Sequence, residues 1–215
     1  MKKQRARIVG SYADLIAHDE ELDRSICGVS LAEERETRFA AEGAHDPSPS
    51  FYFVLEELFA HYHFDEHTHL LDVGCGTGRV LAYYLHAGFP GRATGIELDP
   101  ELAARAASWV AHHANLHVLC GSVLEANLSP YTHFFLYNPF SPTVLQGFIE
   151  LLEQQASSPC TVIHASDNGD TWNYLGRDGW TQVASGTYQY YRNERGYRVK
   201  AYDDPQHYSV WHYET

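Results

Sequence analysis

The 215-residue chain sets 15 Lys and Arg against 28 Asp and Glu, a formal charge of -13, and 44% of its residues are hydrophobic. That supports one domain with a substantial core, and it excludes the broadly basic surface with which proteins grip long polyanions. Nucleic acid is therefore disfavoured as a partner, the only dense basic run being Met1-Lys2-Lys3-Gln4-Arg5-Ala6-Arg7. No run approaches the ~18 apolar residues of a membrane span, so no membrane contact is expected. The stretch from Ile8 to Glu21 is broken by polar residues and lacks the apolar core of a secretory signal, which predicts a cytoplasmic protein. Cys27, Cys75, Cys120 and Cys160 show no paired spacing and read as buried thiols in a reducing compartment.

Residues 1–45 are polar and helix-leaning, and read as a helical extension or lid ahead of a domain over residues 46–215. Pro47-Ser48-Pro49-Ser50 punctuates the chain, because each proline moves its predecessor out of the α region. Ser50 is placed to cap a helix over 51–59, whose apolar residues at 51, 54, 55, 58 and 59 follow helical spacing. From residue 69 short apolar runs alternate with helical stretches. Strands are predicted at 69–73, 93–97, 116–120, 133–137 and 161–165, with helices at 79–87, 101–113 and 143–156. Such alternation needs crossover connections, hence a parallel sheet with helices on both faces. Strand-rich segments follow at 182–192, 197–202 and 207–213, and the short loops between them predict hairpins and antiparallel strands. The aromatic residues of this region alternate with period two, which assigns them by default to the core.

Leu70-Leu71-Asp72-Val73-Gly74-Cys75-Gly76-Thr77-Gly78 runs an apolar strand into a glycine-rich turn that opens a helix at Arg79. Glycines there permit positive φ and let a ligand approach the backbone with no Cβ in the way. The spacing G-C-G-T-G differs from the dinucleotide fingerprint G-x-G-x-x-G, and no G-K-[ST] marks a P-loop. The tighter loop suits a nucleoside with an amino-acid tail better than a pyrophosphate. About 20 residues on, Glu97 ends the next strand, where a carboxylate can accept both ribose hydroxyl protons. Asp99-Pro100 reads as the cap of the following helix. Fourteen histidines include His61-x-His63, His67-x-His69 and His112-His113, but none has a partner at metal spacing, so no metal is expected. Asn138, Asp167 and Asn168 fall at predicted strand ends, yet with one carboxylate they make a poor magnesium set.

Asp72 to Gly78 together with Glu97 resembles the first two motifs of the class I S-adenosylmethionine-dependent methyltransferases, and the likeness spans roughly residues 47–165 by pattern. It implies a doubly wound, Rossmann-like α/β fold, with a seven-stranded, mostly parallel sheet and an antiparallel C-terminal strand. It implies S-adenosylmethionine as cofactor and S-adenosylhomocysteine as product. The Gly74–Gly78 turn would lie beneath the methionine moiety, Glu97 would hold the ribose, and Asp72 would support the loop or meet the methionine amino group. The cofactor-binding set on this resemblance is Asp72, Gly74, Cys75, Gly76, Gly78, Glu97, Leu98, Ser122, Val123 and Asn138. Ser122 stands where the family often has an aspartate accepting the adenine amino proton, a bond its hydroxyl can also accept. Asn138-Pro139-Phe140 resembles the Asn-Pro-Pro-aromatic loop of amine-directed methyltransferases with the second proline missing. Asn138, Pro139 and Phe140 are thus the candidate catalytic residues, orienting the acceptor.

Methyl transfer from a sulfonium needs donor and acceptor held in line and water excluded, with little acid–base machinery. If a base is required, Asp167 and His164 near the end of the fifth strand are the candidates, and His45, Tyr52 and Phe53 are candidates for a lid. The expected acceptor is a small molecule or a protein side chain, methylated on nitrogen or oxygen. The alternatives are an RNA or DNA base, which Asn138-Pro139-Phe140 favours and the charge opposes, and a non-catalytic cofactor-binding or scaffold protein.

Overall fold

The computed structural model describes residues 9–193 and 195–215, so the basic run Met1–Arg7 lies outside the described residues. The elements in chain order are α1 (Tyr12–Cys27), α2 (Tyr52–Phe59), β1 (His69–Val73), α3 (Arg79–His86), β2 (Arg92–Glu97), α4 (Pro100–Val110), β3 (Leu116–Cys120) and β4 (His133–Tyr137). They continue with α5 (Pro142–Gln155), β5 (Cys160–Ala165), β6 (Trp180–Tyr188), β7 (Tyr190–Arg192), β8 (Arg198–Lys200) and β9 (Gln206–Tyr213). Seven strands form one sheet in the order β3-β2-β1-β4-β5-β9-β6. β1 to β5 pair in parallel, and β9 runs antiparallel to both β5 and β6. Covering on both faces explains the apolar runs. Leu70 joins the core built with α2 and α3, whereas Leu71 and Val73 join the core under α5.

The order reverses between β1 and β4, and such a switch point opens a crevice at the carboxyl ends of the strands. The glycine turn follows β1 and the Asn138–Phe140 loop follows β4, so both motifs meet there. Asp99 caps α4, its side chain accepting from the Glu101 N–H, and Pro100 occupies the first turn.

Two local expectations fail. Ser50 does not cap α2. Phe51 is the N-cap residue and supplies no side-chain bond, and the Tyr52 N–H instead donates to buried Asp19 on α1 at 3.0 Å. Segment 182–192 is also not one strand, because Gln189 interrupts it and pins the chain. Its carbonyl accepts from the Ala201 N–H, and its side-chain amide donates to the carbonyls of Tyr202 and Asp203. β7 and β8 form a hairpin, but as a separate ribbon, and β8 makes no hairpin with β9. β9 returns to the main sheet between β5 and β6. Its Val210 and Trp211, buried on opposite faces at 0% and 2% exposure, require an interior position. The aromatic residues Tyr188, Tyr208, Trp211 and Tyr213 are core, while Tyr197 is exposed.

The N-terminal extension is anchored through a buried ion pair. Asp23 on α1 takes Arg79 of α3 in two bonds, Nε to Oδ1 at 3.0 Å and Nη2 to Oδ2 at 2.6 Å. It also accepts from the Tyr52 hydroxyl and from the Leu31 N–H. Among the described residues no helix is long and apolar enough to cross a membrane.

Candidate cofactor and acceptor site

The turn after β1 is drawn under its neighbour by the N–H groups of Gly74 and Cys75, which both donate to the Ile96 carbonyl at 2.9 and 3.0 Å. Gly74 has φ +74, and a Cβ there would come within 2.6 Å of the Pro139 ring, so only glycine lets the two loops touch. Gly76, at φ +54, gives its N–H to Glu97 Oε2 at 2.7 Å. The other oxygen of Glu97 accepts from the Asp99 N–H at 2.8 Å. The Glu97 carboxyl is raised above its ordinary value, chiefly by burial, against the pull of those two N–H donors. Asp72 lies deeper. Burial, with the charge of Glu97 beside it, pushes its carboxyl well up, and its Oδ2 has no hydrogen-bond partner among the described residues.

These groups line a cleft of about 570 Å³. Asp72, Gly74, Cys75, Gly76, Glu97, Leu98, Ser122, Val123, Asn138, Pro139 and Phe140 all lie on its wall. Gly78 does not, serving instead as the cap of α3 with Trp109 packed against it. Ser122 caps a short 3-10 turn, its hydroxyl accepting from the Leu124 N–H.

Much of the remaining wall comes from residues 31–50, the end of the extension and the proline segment after it, including Phe39, Ala44, His45 and Pro47. Arg35 and Arg38 tie this cover down by bridging to Asp99 and Glu101, and the Thr77 hydroxyl donates to the Leu31 carbonyl at 2.6 Å. Residues 43–45 run antiparallel to 139–141, with the Ser141 N–H on the Gly43 carbonyl and the His45 N–H on the Pro139 carbonyl. Of the lid candidates, His45 lines the cleft. Tyr52 and Phe53 do not: Tyr52 turns to Asp23, and the Phe53 ring packs against Phe51 and Tyr191. The cover was legible only as a proline-punctuated segment, because its anchors lie far along the chain.

Asn138, Ser166 and Asn168 have φ of 44°, 52° and 48°, and are the only non-glycine residues at positive φ among those described. All three sit at the carboxyl ends of β4 and β5, and strained backbone of this kind clusters at functional sites. The two base candidates are closed off. His164 is 2% exposed beside the Tyr174 hydroxyl, and burial lowers its pKa to about 4. Asp167 is fully buried, its carboxylate accepting from His207 Nδ1 at 2.8 Å and from Ser209 Oγ at 2.8 Å. That engagement also takes Asp167 away from Asn138 and Asn168 as a magnesium set. No group of three or more His, Cys, Asp or Glu among the described residues is placed to hold a metal ion.

Residues 70–153 match the family model described as a methyltransferase domain. An RNA methyltransferase from Salinibacter ruber, solved with S-adenosyl-L-homocysteine, is 23% identical at a TM-score of 0.54, over 78% of this chain and 92% of that one. A putative methyltransferase, yhhF, from Escherichia coli is 19% identical at 0.55, over 76% and 86%. Precorrin 8W decarboxylase from Methanobacterium thermoautotrophicum is 17% identical at 0.56, over 79% and 93%. None of the curated proteins matches the sequence. The sheet order, with its single antiparallel strand, is the fold of the class I S-adenosylmethionine-dependent methyltransferases. Residues 70–153, which match a methyltransferase domain, hold β1 to β4 and the glycine turn of that fold, and S-adenosylmethionine is the cofactor they imply.

The residues present fit that group. The unpartnered oxygen of Asp72 lies on the cleft floor where an ammonium or its water would satisfy it, and Glu97 keeps lone pairs for the ribose hydroxyls. When bound, the cofactor supplies a methyl group already activated on a sulfonium. What the chain adds is position and exclusion of water. The glycine turn would hold the cofactor, with the segment 31–50 and the Asn138–Phe140 loop forming further walls of the same cleft.

Proposed function

We propose that this methyltransferase acts on a small molecule, bound against Asn138, Pro139 and Phe140 under the cover of residues 31–50. The observation that carries the reading is electrostatic. Among the described residues the arginines beside the cleft meet carboxylates, Arg35 and Arg38 at Asp99 and Glu101, Arg79 at Asp23, and Arg105 at Glu33. A nucleic-acid methyltransferase needs free cations for phosphates, and the chain carries -13 overall. Its likeness to an RNA methyltransferase, at 23% identity, keeps RNA as the competing reading.

Titration of S-adenosylhomocysteine tests the cofactor site. The wild type is expected to bind at micromolar concentration, and Glu97→Ala at least tenfold more weakly, a loss of about 1.4 kcal/mol or more. Methyl-labelled donor with fractionated cell extract then tests the acceptor. Label in the low-molecular-mass fraction supports the reading, and label confined to RNA or DNA overturns it.

A further inference from the structure

Where the extension crosses the Asn138–Phe140 loop, His45 is held twice. Its peptide N–H donates to the Pro139 carbonyl at 3.0 Å, and its ring Nδ1 lies 2.9 Å from the Asn138 carbonyl. A carbonyl only accepts, so Nδ1 carries the proton and, in the neutral ring, Nε2 is a bare lone pair. The ring lines the cleft beside Asn138, Pro139 and Phe140, and is exposed enough to pass a proton on to water. Asp170 faces it from the segment after β5, and a positive His45 favours the ionised Asp170. Asp167 stands close by with His164 and His207, while Asp46 on its own segment accepts from the Thr37 N–H. Carboxylates therefore outweigh the half-buried neighbouring histidine, His207, since His164 stays neutral in its buried site.

We propose that His45 is the catalytic base of this enzyme, its Nε2 taking the proton of a weakly acidic hydroxyl of phenol type. The inference rests on the small-molecule reading above. A neutral amine attacks with its own lone pair and loses its proton afterwards, so it needs no positioned base, whereas a neutral hydroxyl is a poor nucleophile until its proton leaves. The Asn138 and Pro139 carbonyls, which would receive the N–H groups of an amine, each already accept one bond from His45. The balance is simple. The oxygen–carbon bond forms as the carbon–sulfur bond breaks with its electron pair to sulfur. The hydroxyl proton moves to Nε2, and the imidazolium keeps its Nδ1–H on the Asn138 carbonyl before releasing the new proton to water.

His45→Asn separates this role from loop positioning, because the asparagine amide can reproduce the Nδ1–H bond while removing Nε2. Nitrogen NMR of the protein with S-adenosylhomocysteine, assigned by difference against this variant, is expected to show His45 protonated on Nδ1 alone at pH 8. The opposite tautomer overturns the proposal. With labelled donor and catechol or unsubstituted phenol, both neutral at pH 8, as probe acceptors, His45→Asn is expected to lose about 100-fold in kcat, with S-adenosylhomocysteine affinity changed less than twofold. Turnover by the variant at the wild-type rate overturns the proposal, as does a wild type that binds S-adenosylhomocysteine yet methylates neither phenol. Failure to bind S-adenosylhomocysteine strikes the cofactor site instead, and so tells the two failures apart.

Discussion

Asp23→Ala is expected to lower the unfolding free energy by about 3–5 kcal/mol, the usual range for breaking one side of a buried ion pair. Asp23 is 0% exposed and Arg79 5%, so neither charge has water to fall back on. Without the carboxylate, Arg79 retains the Ser50 carbonyl at 3.3 Å and the face of the Tyr52 ring at 5.6 Å, and neither neutralises it. Tyr52 loses the acceptor for its hydroxyl and Leu31 the acceptor for its N–H. Such a loss is a large part of the ~5–15 kcal/mol that typically holds a domain folded. Urea unfolding at neutral pH measures it. The double variant Asp23→Ala with Arg79→Met is expected to lose less than Asp23→Ala alone, because the stranded charge goes with it. A double variant at least as unstable as the single one would show that packing, not the charge, sets the loss.

The same contacts explain what could be read in advance. Strands β1 to β5 and the glycine turn were legible because their signals are local: an apolar run, a turn residue, a helix cap such as Asp99-Pro100. The class of the cofactor was implied by the resemblance that Asp72 to Gly78 and Glu97 carry, residues set by consecutive elements of one β-α-β unit. The cover was not legible. Arg38 meets Asp99 across 61 residues, and His45 meets the Asn138 carbonyl across 93, and nothing in either neighbourhood announces the other. Ser50 had the sequence of a cap, but the α2 N-terminus found Asp19 instead, a buried carboxylate from another helix. His164 and Asp167 were named for their place at the end of β5. Burial then made the first inert and tied the second to His207, 40 residues on. Segment 182–192 looked continuous because alternation reports faces, not which strand a segment pairs with, and Gln189 redirects the chain.

Acid is expected to unfold this protein through its buried histidines, and His164 is the sharpest case. Burial lowers its pKa to about 4, opposed by Asp167 and reinforced by positive charge on His207 and His45, against about 6.5 in the unfolded chain. The native state therefore holds fewer protons than the unfolded one between these values. Stability from keeping His164 neutral is complete above pH 6.5 and is lost as pH falls towards 4. At pH 5 the loss is about 2 kcal/mol for this residue. His69 and His133 are also lowered to about 4, chiefly by burial, and both add in the same direction. Asp72 works against them. Its raised carboxyl binds a proton in the native state before the unfolded one does, which favours the fold as pH falls. Total stability against pH therefore mixes the two, and a difference measurement separates them. His164→Phe removes the titrating ring and leaves Asp72 in place, so unfolding curves of wild type and variant at pH 7.5 and 5 isolate its share. The wild type is expected to lose about 2 kcal/mol more than the variant over that interval. Equal losses would mean that His164 takes up its proton in the folded protein as readily as in the unfolded chain, which a buried ring packed on Tyr174, itself stacked on Trp211, does not allow.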